Sequence, residues 1–323
     1  MITLEFVYVF AGLVFAAIAA LSARDRGNPR RLGNAAFWAL LAASFLFGSR
    51  LSDIGNGVLV LGLVVLGGSG ALGKGQPQST GPEEREASAT RHGNLLFVPA
   101  LIIPATALLG TLVLKNVSFD GVPLIDAKQA TLISLALGAA LALGMAMLWL
   151  RPFVTAPFEE GRRLADAIGW AAILPQMLAS LGAVFALAGV GHAVGQLATD
   201  YMPLDNPLAA VIVYCIGMAL FTAVMGNAFA AFPVMTAAIG LPIVVYKFGG
   251  NPAIMGAIGM LSGFCGTLTT PMAANFNIVP AALLELPDRN GVIRVQLPTA
   301  LLLLLVNTAL MYVLVFRFGG HRG

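Results

Sequence analysis

Charge is the scarcest commodity in this sequence. Of 323 residues, 18 are Lys or Arg and 15 are Asp or Glu, so 10% are charged against 58% hydrophobic, with a mean hydropathy of +0.87. A water-soluble domain of this length needs far more charge to cover its surface, which excludes that class. Cysteine is nearly absent. Cys215 and Cys265 both sit in apolar stretches, where a thiol packs as a small hydrophobe rather than in a disulfide or metal pair. The only histidines are His92, His192 and His321, each in or beside an expected loop, and neither H-E-x-x-H nor G-x-S-x-G occurs. No catalytic or metal-ligating constellation is visible, so the expectation is a non-enzyme with no cofactor.

Long uncharged runs are what the sequence has instead. Leu4 to Leu21, Leu95 to Val113, Thr131 to Leu150, Ile168 to Val190 and Leu297 to Phe316 carry almost no formal charge. At about 1.5 Å per residue each can cross a hydrocarbon core of about 30 Å. Backbone polar groups cannot stay unpaired in lipid, and the dyad alternation of a membrane barrel is missing, so the runs read as helices. The expected fold is all-α: a polytopic membrane protein of about ten transmembrane helices, some broken or re-entrant, forming one domain over 1–323. The expected setting is a bacterial inner membrane.

Loop charge orients the chain. Met1 to Glu5 lacks the basic region of a secretory leader, whereas Arg24, Arg26, Arg30 and Arg31 follow the first run. The first helix is therefore expected to be retained, with its N-terminus outside. Shorter helices over Ala35 to Gly48 and Gly57 to Leu72 bring the chain back to a cytoplasmic loop, 73–92. The basic stretch 151–163 falls on that same side, while Lys115–Lys128 and the loop expected over 191–206 face outward, the two lysines running against the charge bias. Trp38, Trp149 and Trp170 are placed at helix ends on the cytoplasmic side, as interfacial tryptophans. The net charge of +3 is spread over these short loops, which argues for orientation and against nucleic-acid binding.

One phosphate-binding pattern nearly appears. Gly68 to Gly73 fits G-x-G-x-x-G, but Gly75 stands where a P-loop needs a hydroxyl after Lys74, and the strand–turn–helix context is missing. These glycines are expected to end a helix and turn the chain.

The second half is apolar but punctuated. Gly226, Asn227, Pro233, Gly240, Pro242 and Gly249–Gly250–Asn251–Pro252 interrupt it, and no charge occurs between Lys247 and Glu285. Gly and Pro are poor helix-interior residues, so broken helices are expected at membrane depth. Around Pro271 lie Thr267, Thr269, Thr270, Asn275 and Asn277. A buried amide or hydroxyl without a partner is costly, so these groups face protein, ions or a solute. An unwound segment there would present carbonyls, hydroxyls and helix ends to a small polar solute, a carboxylate or Na⁺. The competing reading is that the threonines bond back to their own helix and the asparagines join neighbouring helices. Asn227 and Asn56 are secondary candidates, each also readable as packing or capping residues, and Gln176 either lines the same cavity or joins helices. The motif N-x-x-x-V-P-A occurs at Asn94–Ala100 and again at Asn275–Ala281, with Gly55–Asn56 and Gly226–Asn227 upstream. This suggests halves 1–165 and 166–323 related by inverted topology.

Asp25-x-Gly-Asn-Pro-Arg30, Gly33-x-x-x-Phe37-Trp38, Gly93-Asn-x-x-Phe97-x-Pro99-Ala100, Gly226 to Pro233 and Gly266 to Pro280 together resemble a bacterial membrane-protein family known as domain of unknown function 979. The resemblance covers nearly the whole chain. It implies a permease subunit for 5-oxoproline, acting by secondary transport beside a smaller sister membrane subunit. The expected partners are thus the bilayer, a small carboxylate, that subunit and further copies of the chain, with Na⁺ coupling compatible with neutral oxygen ligands. The alternative is a non-transporting scaffold or assembly subunit of such a complex.

Overall fold

The computed structural model describes residues 1–75, 80–119, 121–202 and 204–318. Part of the 73–92 loop and His321 therefore lie outside the described residues. The helices in chain order are α1 (Leu4–Arg24), α2 (Arg31–Phe47), α3 (Asp53–Gly68), α4 (Pro82–His92), α5 (Phe97–Leu112), α6 (Ala130–Leu150) and α7 (Ala156–Ile168). They continue as α8 (Leu174–Leu187), α9 (Val190–Tyr201), α10 (Pro207–Met225), α11 (Ala228–Met235), α12 (Pro252–Thr267), α13 (Ile278–Leu283) and α14 (Gly291–Arg317). A two-stranded hairpin, β1 (Ser118–Phe119) with β2 (Val122–Pro123), joins α5 to α6. Among the described residues eight helical segments are long and apolar enough to cross a membrane, and Asp53–Gly68 and Pro252–Thr267 are shorter apolar helices. The chain is a multi-pass, all-α membrane protein.

The helices form two units, Met1–Gly169 and Trp170–Gly323. In the first, α1 carries a polar layer at each end. At its start, the Ile2 N–H donates to the Leu124 carbonyl at 2.8 Å and the Asp126 N–H to the Ile2 carbonyl at 3.1 Å. At its other end, the Arg162 guanidinium pairs with Asp25 at 3.3 Å and with Glu159 at 3.0 Å. Asn34 there takes the Gly73 N–H at 2.8 Å and donates to the Asp166 carboxylate at 2.8 Å. Twenty-one helical residues separate the layers, about the thickness of a hydrocarbon core. The Asp25–Arg30 and Gly73 to Gly75 segments thus knit helix ends together, and the left-handed Gly70 (φ 70°) turns the chain after α3.

Trp38 departs from the interfacial role expected of it. It is 2% exposed, stacked on Phe15 at 5.7 Å and edge-on to Phe37, because the turn of α2 that carries it faces α1. Trp170 is half exposed and Trp149 meets the His92 ring at 5.3 Å. Within the 73–92 stretch, Pro82–His92 is helical, with charged residues along most of its exposed length.

The core of the second unit is built on Tyr214, Met218 and Met311, all fully buried, with Met235 and Met255. Cys215 lies within it, and both Cys215 and Cys265 are free, buried thiols. Two expectations change here. The 191–206 stretch is mostly the helix α9, not a loop. Gly191 and Gly195, one turn apart, let its backbone approach the carbonyls of Val234 and Ala238, a small-residue contact of the kind that joins helices in membranes. Nor do Pro233, Gly240 and Pro242 break their helix. Ala228–Lys247 is one 20-residue segment whose second part, Thr236–Lys247, is wound as a π-helix. The wider turn accommodates a ring that lacks an N–H and crowds the preceding turn. The real interruptions fall at Gly226–Asn227, at Gly249–Asn251 and over Leu268–Asn277.

Candidate functional site

Two of these interruptions meet. Helix α10 ends where the Gly226 N–H reaches the Thr222 carbonyl at 2.6 Å. Gly226 itself is left-handed, φ 73°, and a Cβ on it would collide with the backbone carbonyl of Met272. Glycine is therefore required twice over, by conformation and by the close approach of a second chain segment. The next residue, Asn227, restarts the helix, its Oδ1 accepting the Phe229 N–H at 2.9 Å. Capping of this kind fixes the N-terminus of α11, with its partial positive charge, at the break.

The opposing segment is the irregular stretch that follows α12. Thr267 and Thr269 donate their hydroxyls back to the Phe264 and Gly266 carbonyls at 2.6 and 2.8 Å. Thr270 Oγ1 accepts the Met272 N–H at 3.2 Å, closing a tight turn. Asn277 is fully buried, and its Nδ2 donates to the carbonyls of Thr267 at 2.8 Å and Thr270 at 2.7 Å. One amide thus holds the unwound segment together by satisfying the Thr267 carbonyl at the end of α12 and the Thr270 carbonyl beyond it. Its Oδ1 has no hydrogen-bond partner among the described residues. Packing brings α12 close enough for this: Gly266 lies directly on the Ala219 backbone and Gly263 on Met218, Ala228 and Thr222.

Between the two breaks lies a cavity of about 260 Å³. Asn227, Thr267 and Asn275 supply polar groups; Phe229, Phe264 and Phe276 supply aromatic walls, the first two edge-to-face at 5.7 Å. None of the lining residues carries a charge. Its volume is just below the range of about 300–1,000 Å³ typical of sites for drug-sized ligands, which suits a smaller solute. With no basic side chain in the wall, an anion entering it would meet the N–H groups of the first turn of α11 and the two amides.

The seven residues singled out in the sequence therefore divide. Asn227, Thr267 and Asn275 line the cavity, while Thr269, Thr270 and Asn277 shape and hold its wall. Asn56 belongs to the first unit, inside α3, where its Nδ2 caps the Gly48 carbonyl at 3.0 Å. Gln176 is exposed on α8 and does not line the cavity, whereas its neighbours Leu174 and Leu178 do. The aromatic and leucine walls carry no signal in the sequence that separates them from lipid-facing residues. The two N-x-x-x-V-P-A copies take similar positions, each leading into a short first turn with its proline third, at Phe97–Pro99 in α5 and Ile278–Pro280 in α13.

No curated protein and no solved structure matched the chain. A family model described as "Protein of unknown function (DUF979)" matches residues 5–316, and the chain belongs to that family.

Proposed function

We propose that this protein is a permease subunit that moves a small carboxylate, 5-oxoproline in the first instance, across the membrane by secondary transport. The observation that carries the reading is the meeting of two broken segments around one uncharged, amide-lined cavity. Broken helices in transporters offer N-termini to anionic groups and freed carbonyls to coupling cations at membrane depth. Here the start of α11 can face a carboxylate, Asn227 and Asn275 can pair with a ring amide, and the phenylalanines can cover its apolar edge. The family resemblance supports 5-oxoproline as the solute. Coupling to Na⁺ accords with neutral oxygen ligands and with a cavity wall that has no carboxylate to relay protons.

Uptake of labelled 5-oxoproline into proteoliposomes tests the proposal, first with this chain alone and then with its sister subunit. The expected result is uptake that rises with an inward Na⁺ gradient and falls at least tenfold in the Asn227→Ala/Asn275→Ala double variant. Full uptake by that variant removes the site. Uptake seen only when the sister subunit is present, and indifferent to both asparagines, makes this chain the scaffold.

A further inference from the structure

Asn277, in the second unit, carries a buried oxygen that no donor meets. The residue is 0% exposed, and its Oδ1 is unpartnered among the described residues. Turning the amide round is no remedy. Its Nδ2 must face the Thr267 and Thr270 carbonyls, at 2.8 and 2.7 Å, because a carbonyl accepts and never donates. Two carbonyls on one NH₂ group take one N–H each, and one of those N–H bonds lies on the same side as Oδ1. The carbonyl bound there sits next to Oδ1, so two oxygens flank one point. A fully buried acceptor is costly in this state unless a donor or a cation meets it.

The surroundings favour a cation. Thr267 is the last residue of the sixteen-residue helix α12, so the break receives the carbonyls of its final turn and the negative end of its dipole. No charged residue between Lys247 and Glu285 answers that polarity. Calcium and magnesium sites rest on carboxylates, whereas the oxygens here are neutral carbonyls and an amide, which suits an ion of single charge. The opposite pole stands beside it: α11 begins at Asn227 with its N–H groups towards the cavity, and the close approach of Gly226 to Met272 holds the two breaks together. Thr267 belongs to both places. Its carbonyl is clasped by Asn277, and the residue lines the cavity.

We infer that the end of α12 is a binding site for a monovalent cation, Na⁺ in the first instance, held by Asn277 Oδ1 and the carbonyls of Thr267 and Thr270. The ion satisfies the unpartnered oxygen and fixes the irregular 268–277 segment. Through Thr267 it also stiffens the wall opposite the start of α11, where a carboxylate is drawn. Each ligand then favours the other, and the coupling is reciprocal. Freed carbonyls and helix C-termini hold coupling cations in broken-helix transporters. The role in coupling deepens the transport reading and rests on it, but the binding itself is measured without any solute.

Hydrogen exchange on the full-length protein in mixed micelles provides the test, with Na⁺ replacing choline at constant ionic strength. Amides over 266–277 are expected to exchange more slowly in Na⁺. At ten times the dissociation constant the slowing is about tenfold, because a ligand of the closed form suppresses opening by one plus its concentration over that constant. Asn277→Ala should abolish the protection, while Asn56→Ala, an amide of the first unit, should keep it. Equal exchange in Na⁺ and choline overturns the proposal in the unsubstituted protein, whether or not Asn277→Ala folds. Protection confined to other parts of the chain overturns it as well, as does full protection in Asn277→Ala. Na⁺ protection over 266–277 in protein that takes up no 5-oxoproline counts against the transport reading alone. Na⁺-driven uptake without that protection overturns this site alone.

Discussion

Asn277→Ala and Asn275→Ala should have opposite consequences, although the residues are two apart in one turn. Asn277 is fully buried, and its amide serves the Thr267 and Thr270 carbonyls. Truncation leaves both carbonyls without that donor. Each buried carbonyl left without a donor costs about 1–3 kcal/mol, so the two together cost about 2–6 kcal/mol. Loss of the unpartnered Oδ1 offsets part of this, since burying a polar atom without a partner itself costs about 1–3 kcal/mol. The net expectation is destabilisation by about 1–3 kcal/mol, read from reversible unfolding in Na⁺-free mixed micelles. Asn275 is exposed to the cavity and has no such clasp, so its alanine variant should unfold with the parent and lose solute uptake. Equal unfolding free energies for Asn277→Ala and the parent would refute the clasp. A destabilised Asn275→Ala would refute the division of roles between the two amides.

Gly226→Ala should be more damaging than either. A left-handed φ costs an L-residue about 1–2 kcal/mol, and the new methyl must also displace the Met272 carbonyl, so low yield and lost uptake are expected on expression and assay. Arg162→Ala takes the cation away from Asp25 and Glu159; removing one partner of a buried ion pair costs about 3–5 kcal/mol, and thermal unfolding should show it. Gly195→Leu should drive α9 away from the Ala238 backbone, at an overpacking cost of about 1–3 kcal/mol, detected as faster hydrogen exchange over Val190–Tyr201.

The membrane helices were legible because their signal is bulk: an uncharged run long enough to cross the bilayer has little other way to satisfy its backbone. The breaks at Gly226 and over Leu268–Asn277 were legible for the same reason turned around, since polar residues at membrane depth need partners. What could not be read was direction. Nothing in Thr-Leu-Thr-Thr-Pro distinguishes the threonine that lines the cavity, Thr267, from those that only bond back to their own turn. That choice is made by where α10 and α11 pack, and so by Gly226 against Met272. Pro242 shows the reverse error: a breaker by local rules, it is absorbed because a π-turn supplies the room. Trp38 and α9 were misread because packing partners far along the chain, Phe15 in one case and the Ala238 backbone in the other, override interfacial and loop-like composition.

A single labelling experiment tests the central claim, that the solute sits where the two breaks meet. In the protein carrying Met272→Cys, a cavity-lining and exposed position, with the native thiols buried at Cys215 and Cys265, the rate of maleimide modification is measured with and without 5-oxoproline. The account predicts that the solute slows modification at this position and leaves a cysteine at the exposed Leu187 unaffected. Equal rates at position 272 with and without saturating solute, in protein that transports it, would contradict the account.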